Sequence, residues 1–119
     1  MSVSVIVVQS ALGASRETAQ KLKAIGLEQG KDFVAAAHPE DVERAFAKDE
    51  PQLLIIGTQH GFEESTAHFV KKAKAKNAKL VVWFYSGMLC NYPETYDRVI
   101  TGLVRPSIPE LVRLYLSSN

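Results

Sequence analysis

The side chains best suited to catalysis stand alone in this sequence. Cys90 is the only cysteine. It has no CxxC partner and no identifiable His–Asp pair to activate it, so we expect an inert thiol. His60 follows an apolar run, yet no second His, Cys or acid stands nearby at metal-ligand spacing, which favours a surface histidine over an acid–base group or a ligand. His38 and His68 are expected to be structural. We therefore predict no catalytic residue, no metal site and no enzymatic activity.

A hydroxyl-bearing loop precedes the first predicted helix, with the sequence Ser10-Ala11-Leu12-Gly13-Ala14-Ser15. Hydroxyls and amides at a helix N-terminus bind anions, and this loop resembles the phosphate loop of flavodoxins. The alternative, which we favour, is a simple turn with Ser15 as the N-cap of the helix. An anion site would use Ser10, Gly13 and Ser15 together with Arg105. We predict no bound cofactor.

Basic side chains are concentrated near the end of the third predicted helix. The cluster consists of Lys71, Lys72, Lys74, Lys76 and Lys79. Such a cluster can meet an acidic partner or nucleic acid, or it can be a solvated face that complements the negative end of the helix. No aromatic residues interleave with these lysines, and the formal net charge of the chain is only +1. We favour the solvated face and predict no direct contact with nucleic acid.

Apolar runs alternate with helical patterns along the chain. Four apolar residues at 53–56, closed by Gly57, predict a strand that is buried on both faces, as at the centre of a parallel sheet. Further strands are predicted at residues 3–8, 33–36, 80–85 and 99–104, and helices at about 15–25, 39–48, 63–77 and 108–116. The pattern predicts an α/β fold with a doubly wound five-stranded parallel sheet of order 2-1-3-4-5. Folds of this kind bind ligands at the carboxyl edge of the sheet.

The segment between the fourth and fifth predicted strands is short and contains Pro93. We expect the fourth helix to be short or missing, because proline would break a helix at that point. Part of the fourth and fifth strands should then be uncovered, and an exposed apolar patch there would mark an interaction site. Its predicted members are Met88, Leu89, Tyr92, Tyr96, Leu103 and Tyr115. The alternative is that residues 88–96 fold back and cover the strands themselves.

Length and composition fit one soluble domain. The chain has 119 residues, of which 46% are hydrophobic and 23% charged, so we predict a single domain over residues 1–119. A lone cysteine excludes an internal disulfide and suits a reducing compartment. The sequence shows no signal peptide and no apolar run long enough for a membrane span. These features predict a cytoplasmic protein without a membrane contact.

Two short motifs carry a resemblance to a known family. The run Pro51-Gln52-Leu53-Leu54-Ile55-Ile56 follows a predicted helix, and Val104-Arg105-Pro106 follows the fifth predicted strand. At this spacing and total length, the chain resembles the receiver domain of bacterial two-component response regulators over residues 5–116. Receivers show a Pro-Asp-Leu-apolar run that ends in the phosphorylated Asp, and a Lys-Pro pair after the fifth strand. The resemblance implies a flavodoxin-like fold and a role in signal transduction.

The residues that perform receiver chemistry are not retained. By the resemblance, Gln9 and Ser10 stand in place of the two acids that hold Mg²⁺, and Gly57 stands in place of the phosphorylated Asp. Ser86 matches the switch residue, and Arg105 replaces the lysine. Mg²⁺ requires oxygen ligands, usually carboxylates, and glycine offers no nucleophile. We therefore expect a pseudo-receiver that works through contact with a protein partner or as a homodimer. The alternative is a flavodoxin-like protein that binds an anion, nucleotide or flavin.

Overall fold

The computed structural model describes residues 4–9, 13–38, 51–57, 63–87 and 89–118. Its strands are β1 (Val5–Val8), β2 (Phe33–Ala36), β3 (Leu53–Ile56), β4 (Val81–Ser86) and β5 (Arg98–Thr101). The helices in these ranges are α1 (Ala14–Ala24), α2 (Glu63–Lys76) and α3 (Ile108–Ser118). The strands form one parallel sheet in the order β2-β1-β3-β4-β5. This confirms the predicted fold class and strand order. The helix predicted at residues 39–48 lies outside the described residues.

The sheet is covered on both faces, which explains why its central strands are continuous apolar runs. Every residue of β1 and β3 is buried, and successive side chains enter opposite cores because the side chains of a strand alternate. One core, under α1 and α3, contains Val5, Val7, Leu53, Ile55, Leu22 and Val112. The other core, under α2, contains Ile6, Val8, Leu54, Ile56, Val70 and Phe84. Residues at the carboxyl ends of β1, β3 and β4 therefore share one edge of a rigid sheet.

Helix α1 begins two positions earlier than a Ser15 cap would allow. Gly13 is the N-cap, with a left-handed φ of 76° and no side-chain capping hydrogen bond. The amide of Glu17 donates to the carbonyl of Gly13 (3.1 Å), so Ser15 already lies within the helix. The predicted Ser15 cap is therefore wrong. At the other end, the sequence predicts that Gly26 or Gly30 ends the helix. Gly26 (φ 97°) ends it, because glycine adopts this backbone conformation without strain.

The connection between β4 and β5 contains only one turn of 3₁₀ helix, Pro93–Thr95, within the residues that are described. This agrees with the prediction that the fourth helix is short or missing. Strand β5 ends at Thr101, three residues before the predicted end, because Gly102 takes a φ of 97° and turns the chain out of the sheet. From the sequence, Gly102 predicts a bend or bulge within the strand; in the structure it ends the strand. Across the described ranges, no helix is long and apolar enough to span a membrane.

Candidate functional site

Three of the residues expected to form the degenerate receiver pocket lie together at the carboxyl edge of the sheet. Gln9 follows β1, Gly57 follows β3, and Ser86 is the last residue of β4. The amide of Gly57 donates to the carbonyl of Val8 (3.0 Å), which ties the end of β3 to the end of β1. Ser10 lies outside the described residues. These three residues share one edge of the sheet, and their role as a degenerate receiver pocket stays a prediction.

The side chain of Gln9 is used to hold the fold together. The hydroxyl of Thr18 on α1 donates to Oε1 of Gln9, and Thr18 is buried. The backbone amide of Gln9 donates to the carbonyl of Ala36 on β2 (2.9 Å). Gln9 therefore links β1 to a helix and to the neighbouring strand. Its side-chain oxygen is already engaged by a hydroxyl and carries no charge, unlike the carboxylates that Mg²⁺ prefers.

At Gly57, directly after β3, the chain lies close to the backbone of β4. A Cβ atom built on Gly57 would lie 2.7 Å from the carbonyl oxygen of Tyr85. The φ of Gly57 is not among the positive values in the chain, so the requirement for glycine is one of space and not of backbone conformation. Any larger residue would have to displace a strand, because the atom that it meets is backbone and not a flexible side-chain end.

Arg105 makes a contact that the sequence did not predict. Its guanidinium carbon lies 4.5 Å from the centre of the Tyr85 ring, in a cation–π arrangement. The hydroxyl of Tyr85 donates to the carbonyl of Pro106 (2.8 Å), so the ring is fixed beneath the cation. Tyr85 packs against the core under α1 and α3. The contact of Arg105 that the structure describes is thus the one with the ring of Tyr85.

The anion site considered from the sequence stays a prediction. Gly13 and Ser15 lie at the N-terminus of α1, whereas the guanidinium of Arg105 stacks on Tyr85. Ser86, at the end of β4, is half-buried and has an interaction of its own.

Two members of the predicted interface patch are not exposed on a common surface. Tyr96 is 9% exposed and packs on Phe84, with the ring centres 5.0 Å apart. Burial raises the pKa of the Tyr96 hydroxyl. Tyr115 is half-buried on the opposite face of the sheet, edge-on to Trp83 at 5.9 Å. Including Tyr96 in an exposed patch was therefore wrong, since the chain after β4 folds back over β4 instead of leaving it bare.

An aspartate fixes this folded-back segment in place. The Oδ2 atom of Asp97 accepts hydrogen bonds from the amide of Val82 (2.7 Å) and from Nζ of Lys74 (2.6 Å). The amide of Asp97 donates to the carbonyl of Val82 (2.8 Å). Partial burial raises the pKa of Asp97, but the bonds from Lys74 and Val82 and the charge of Lys74 outweigh it, so the pKa is lowered overall. The role of Asp97 was not predicted from the sequence. Its only indication there was the position of this residue just before the fifth strand.

Two of the remaining patch residues are exposed, whereas Tyr92 is half-buried. Leu89 is 82% exposed and Leu103 is 98% exposed. Val104 (97%) and Val99 (37%) are also exposed, and neither was included in the predicted patch. Val99 lies on β5, which is an edge strand. Met88 lies outside the described residues.

The isolated reactive side chains have unremarkable surroundings. Cys90 is half-buried, and desolvation by burial is the main reason that its pKa is raised, which keeps the thiol protonated and unreactive. His38 and His68 are exposed, and His60 lies outside the described residues. Among the residues that the structure describes, no group of three or more His, Cys, Asp or Glu is placed to hold a metal ion.

Comparison with known proteins identifies structural neighbours. No protein-family model and no curated protein sequence matches the chain. A CheY-like protein (tadZ) from Pseudomonas aeruginosa PAO1 is similar with a TM-score of 0.65 and 16% identity, covering 98% of this chain and 99% of that one. A chain in the complex of the phosphorylated P1 domain of CheA3 with CheY6 from R. sphaeroides is similar with a TM-score of 0.60 and 19% identity, covering 98% and 95%. At these identities the likeness shows a CheY-like, receiver-like fold.

Proposed function

We propose that this chain is a phosphorylation-independent pseudo-receiver, a cytoplasmic signalling module that acts through protein contacts and not as an enzyme. The observation that carries the proposal is the packing at Gly57. Receivers place their phosphorylated Asp at this position, and here the carbonyl of Tyr85 would lie 2.7 Å from any Cβ. The position therefore has neither a nucleophile nor the space for one.

The surroundings of Gly57 support the same proposal. Phosphotransfer to a receiver needs Mg²⁺ to neutralise charge on the phosphoryl group, and Mg²⁺ needs oxygen ligands with carboxylate charge. The Gln9 side chain is neutral and accepts a hydrogen bond from Thr18. Arg105, at the position of the receiver lysine, stacks on Tyr85. Each contact serves the packing of the domain instead of an incoming phosphate.

A receiver without this chemistry has no trigger for a conformational switch. A ligand or modification shifts an equilibrium only if it interacts differently with the two states, and a missing phosphoryl group supplies no such difference. The proposed module therefore presents the same surface at all times. That one similar structure is a complex between CheA3 and CheY6 is consistent with a role in protein contacts. Neither similar structure is described as a flavin or nucleotide protein, so the small-ligand alternative gains no support.

Phosphotransfer can be tested directly by mass spectrometry. Intact protein is incubated with acetyl phosphate and Mg²⁺, beside a receiver domain that retains its acids as the positive control. We expect no phospho-adduct on this chain under conditions in which the control is modified. A stoichiometric adduct that hydroxylamine removes would identify an acyl phosphate and would refute the proposal.

A further inference from the structure

Helix α2 carries more lysines than those that complement the negative end of its dipole. Lys74 and Lys76 lie in its last turn, where they complement the negative end of the helix dipole. Lys71 and Lys72 lie before that turn, beyond the reach of this effect, and both are exposed. Helix complementation therefore explains only part of the lysine cluster.

The spacing of these lysines is unfavourable for the isolated helix. Lys72 and Lys76 are four residues apart, and like charges at that spacing repel each other. Lys71 and Lys74 are three residues apart, but Lys74 is paired with Asp97 at 2.6 Å. Within the described part of the chain, this is the one carboxylate paired with a lysine of the cluster. The exposed lysines thus form a positive surface that an acidic partner would stabilise.

A groove runs beside this positive surface. It has a volume of about 580 Å³ and is lined by Glu64, Ser65, Ala67, His68 and Lys71 of α2 and by Tyr92 of the folded-back segment. Residues 64, 67, 68 and 71 lie on one face of a helix because of their spacing. We call this feature the α2 groove. It lies between α2 and the segment that passes from β4 to β5 without a full helix.

The chemistry of the α2 groove is specific enough to suggest an occupant. Ala67 is small and buried, and Tyr92 is half-buried, so an apolar side chain can pack between them. Tyrosine is enriched where protein interfaces bind most tightly. Lys71 lines the groove, and Lys72 lies four residues after the lining residue His68 and so borders the same face of the helix. Carboxylates next to that apolar side chain would therefore meet both cations. At its Lys71 end the groove therefore fits an acidic segment with at least one apolar anchor, whereas the carboxylate of Glu64 lies about two turns away at the other end.

We propose that the α2 groove binds an acidic, amphipathic segment of a partner protein. This inference rests on the proposed function and adds the chemistry of the partner to it. Carboxylates of the segment contact Lys71 and Lys72, and its apolar side chain contacts Tyr92 and Ala67. The contact is electrostatic at its rim, so its affinity falls as the salt concentration rises.

Binding can be measured by fluorescence anisotropy with a labelled helical peptide that carries Glu on its polar face and Leu on its apolar face. A peptide with Gln in place of Glu is the matched probe, and a single-stranded oligothymidylate tests nucleic acid as the alternative. The double variant Lys71→Glu/Lys72→Glu should weaken binding of the Glu peptide by about tenfold or more. The double variant Lys21→Glu/Lys23→Glu on α1 makes the same change in net charge at exposed positions and should have little effect.

A second variant tests the groove separately from the charge. Tyr92→Ala should also weaken the Glu peptide by about tenfold while leaving the salt dependence unchanged. Circular dichroism establishes that each variant is folded, and Lys71→Gln/Lys72→Gln replaces the charge reversal if that variant is not. Equal losses from the α1 and α2 double variants would refute the proposal. Three other results would refute it as well: equal binding of the Glu and Gln peptides, tighter binding of the oligonucleotide than of the Glu peptide, or no binding of the Glu peptide at low salt. No phosphodonor is present, so these outcomes leave the phosphotransfer test of the proposed function unaffected.

Discussion

Gly57 shows that the departure from receiver chemistry extends beyond one side chain. Had Gly57 merely replaced Asp on an unchanged backbone, space for a side chain would remain. Instead the carbonyl of Tyr85 occupies the position, 2.7 Å from where a Cβ would lie. Protein interiors are close-packed and resist added atoms. Restoring the acid therefore conflicts with the packing between β3 and β4.

We predict that Gly57→Asp destabilises the protein by about 1–3 kcal/mol, the usual cost of overpacking, and that it restores no phosphotransfer. Urea denaturation gives the stability, and intact mass after acetyl phosphate treatment gives the activity. Gly87→Asp is the matched control, because a Cβ at Gly87 would meet only the flexible end of Arg105, at 4.0 Å. Equal stability of the two variants would show that the Tyr85 carbonyl yields easily and that space at Gly57 is not the constraint.

The sequence predicted the positions of single residues better than their contacts. Gln9, Gly57 and Ser86 were placed at one edge because parallel strands bring their carboxyl ends together. The stacking of Arg105 on Tyr85 could not be predicted, because a long cationic side chain after a strand can turn to either face. Tyr96 was predicted to be exposed for a related reason. Its burial on Phe84 depends on the path of a proline-containing segment that has no periodicity to interpret.

At the scale of elements, the segment between β4 and β5 replaces the cover of a helix with a few specific contacts. The ring of Tyr96 packs on Phe84, while the carboxylate of Asp97 accepts hydrogen bonds from the amide of Val82 near the start of β4 and from Lys74 on α2. A helix would cover the same strands with many nonspecific apolar contacts. Here the position of the segment depends strongly on one partly exposed carboxylate.

This dependence predicts a response to acid. A carboxylate whose pKa is lower in the folded chain than its unfolded value of about 3.9 stabilises the fold above that value. Its contribution is lost as the pH falls through the folded pKa. The pKa of Asp97 is lowered, so Asp97→Asn should cost on the order of 1 kcal/mol at neutral pH, a modest figure because the side chain is 41% exposed. The stabilities of the variant and the native protein should converge below about pH 4, as measured by urea denaturation.

A double-mutant cycle separates the ion pair from the other contacts of Asp97. Lys74→Ala, Asp97→Ala and the double variant should show a coupling energy of about 0.5 kcal/mol or more. Lys72→Ala, which removes an exposed lysine of the same helix, should show no coupling to Asp97→Ala. If the Lys74 coupling vanishes, or persists unchanged at a pH well below 4, then Asp97 does not hold the segment by its charge.

The elements themselves were largely predictable, and the errors fell at their ends. Continuous apolar runs identified β1 and β3 because both are buried on two faces. The end of β5 was predicted too late because Gly102 was interpreted as a bend or bulge within the strand, whereas its positive φ ends the strand. A single sequence does not reveal the backbone conformation of a glycine, and both interpretations were compatible with the apolar residues that follow it.

At the scale of the whole molecule, the apolar surface is distributed unevenly around the sheet. The centre is covered on both faces, but the β5 edge leaves Val99, Leu103 and Val104 exposed. Val99 pairs with Phe84 in register, so the two side chains lie on the same face of the sheet. Helix α2 covers this face at Phe84, whereas Val99 at the edge is exposed. Exposed apolar residues next to an edge strand favour association. A second protomer can bury the side chains and form hydrogen bonds with the backbone groups that the edge strand leaves unpaired. We therefore propose the β5 edge as the homodimer surface of this module.

The last prediction is that the protein associates with itself through this edge. Full burial of a leucine or valine side chain contributes about 1.5 kcal/mol or more, so two nearly fully exposed residues per protomer supply a substantial driving force. Multi-angle light scattering over a concentration series should show a dimer that Leu103→Glu or Val104→Glu converts to a monomer. Circular dichroism should show that this monomer is folded, since neither side chain packs in the core. Gln20→Glu makes the same change in charge at an exposed position of α1 and should leave the dimer intact. A native protein that stays monomeric at high concentration would rule out the homodimer, and the constitutive surface would then have to serve a different partner.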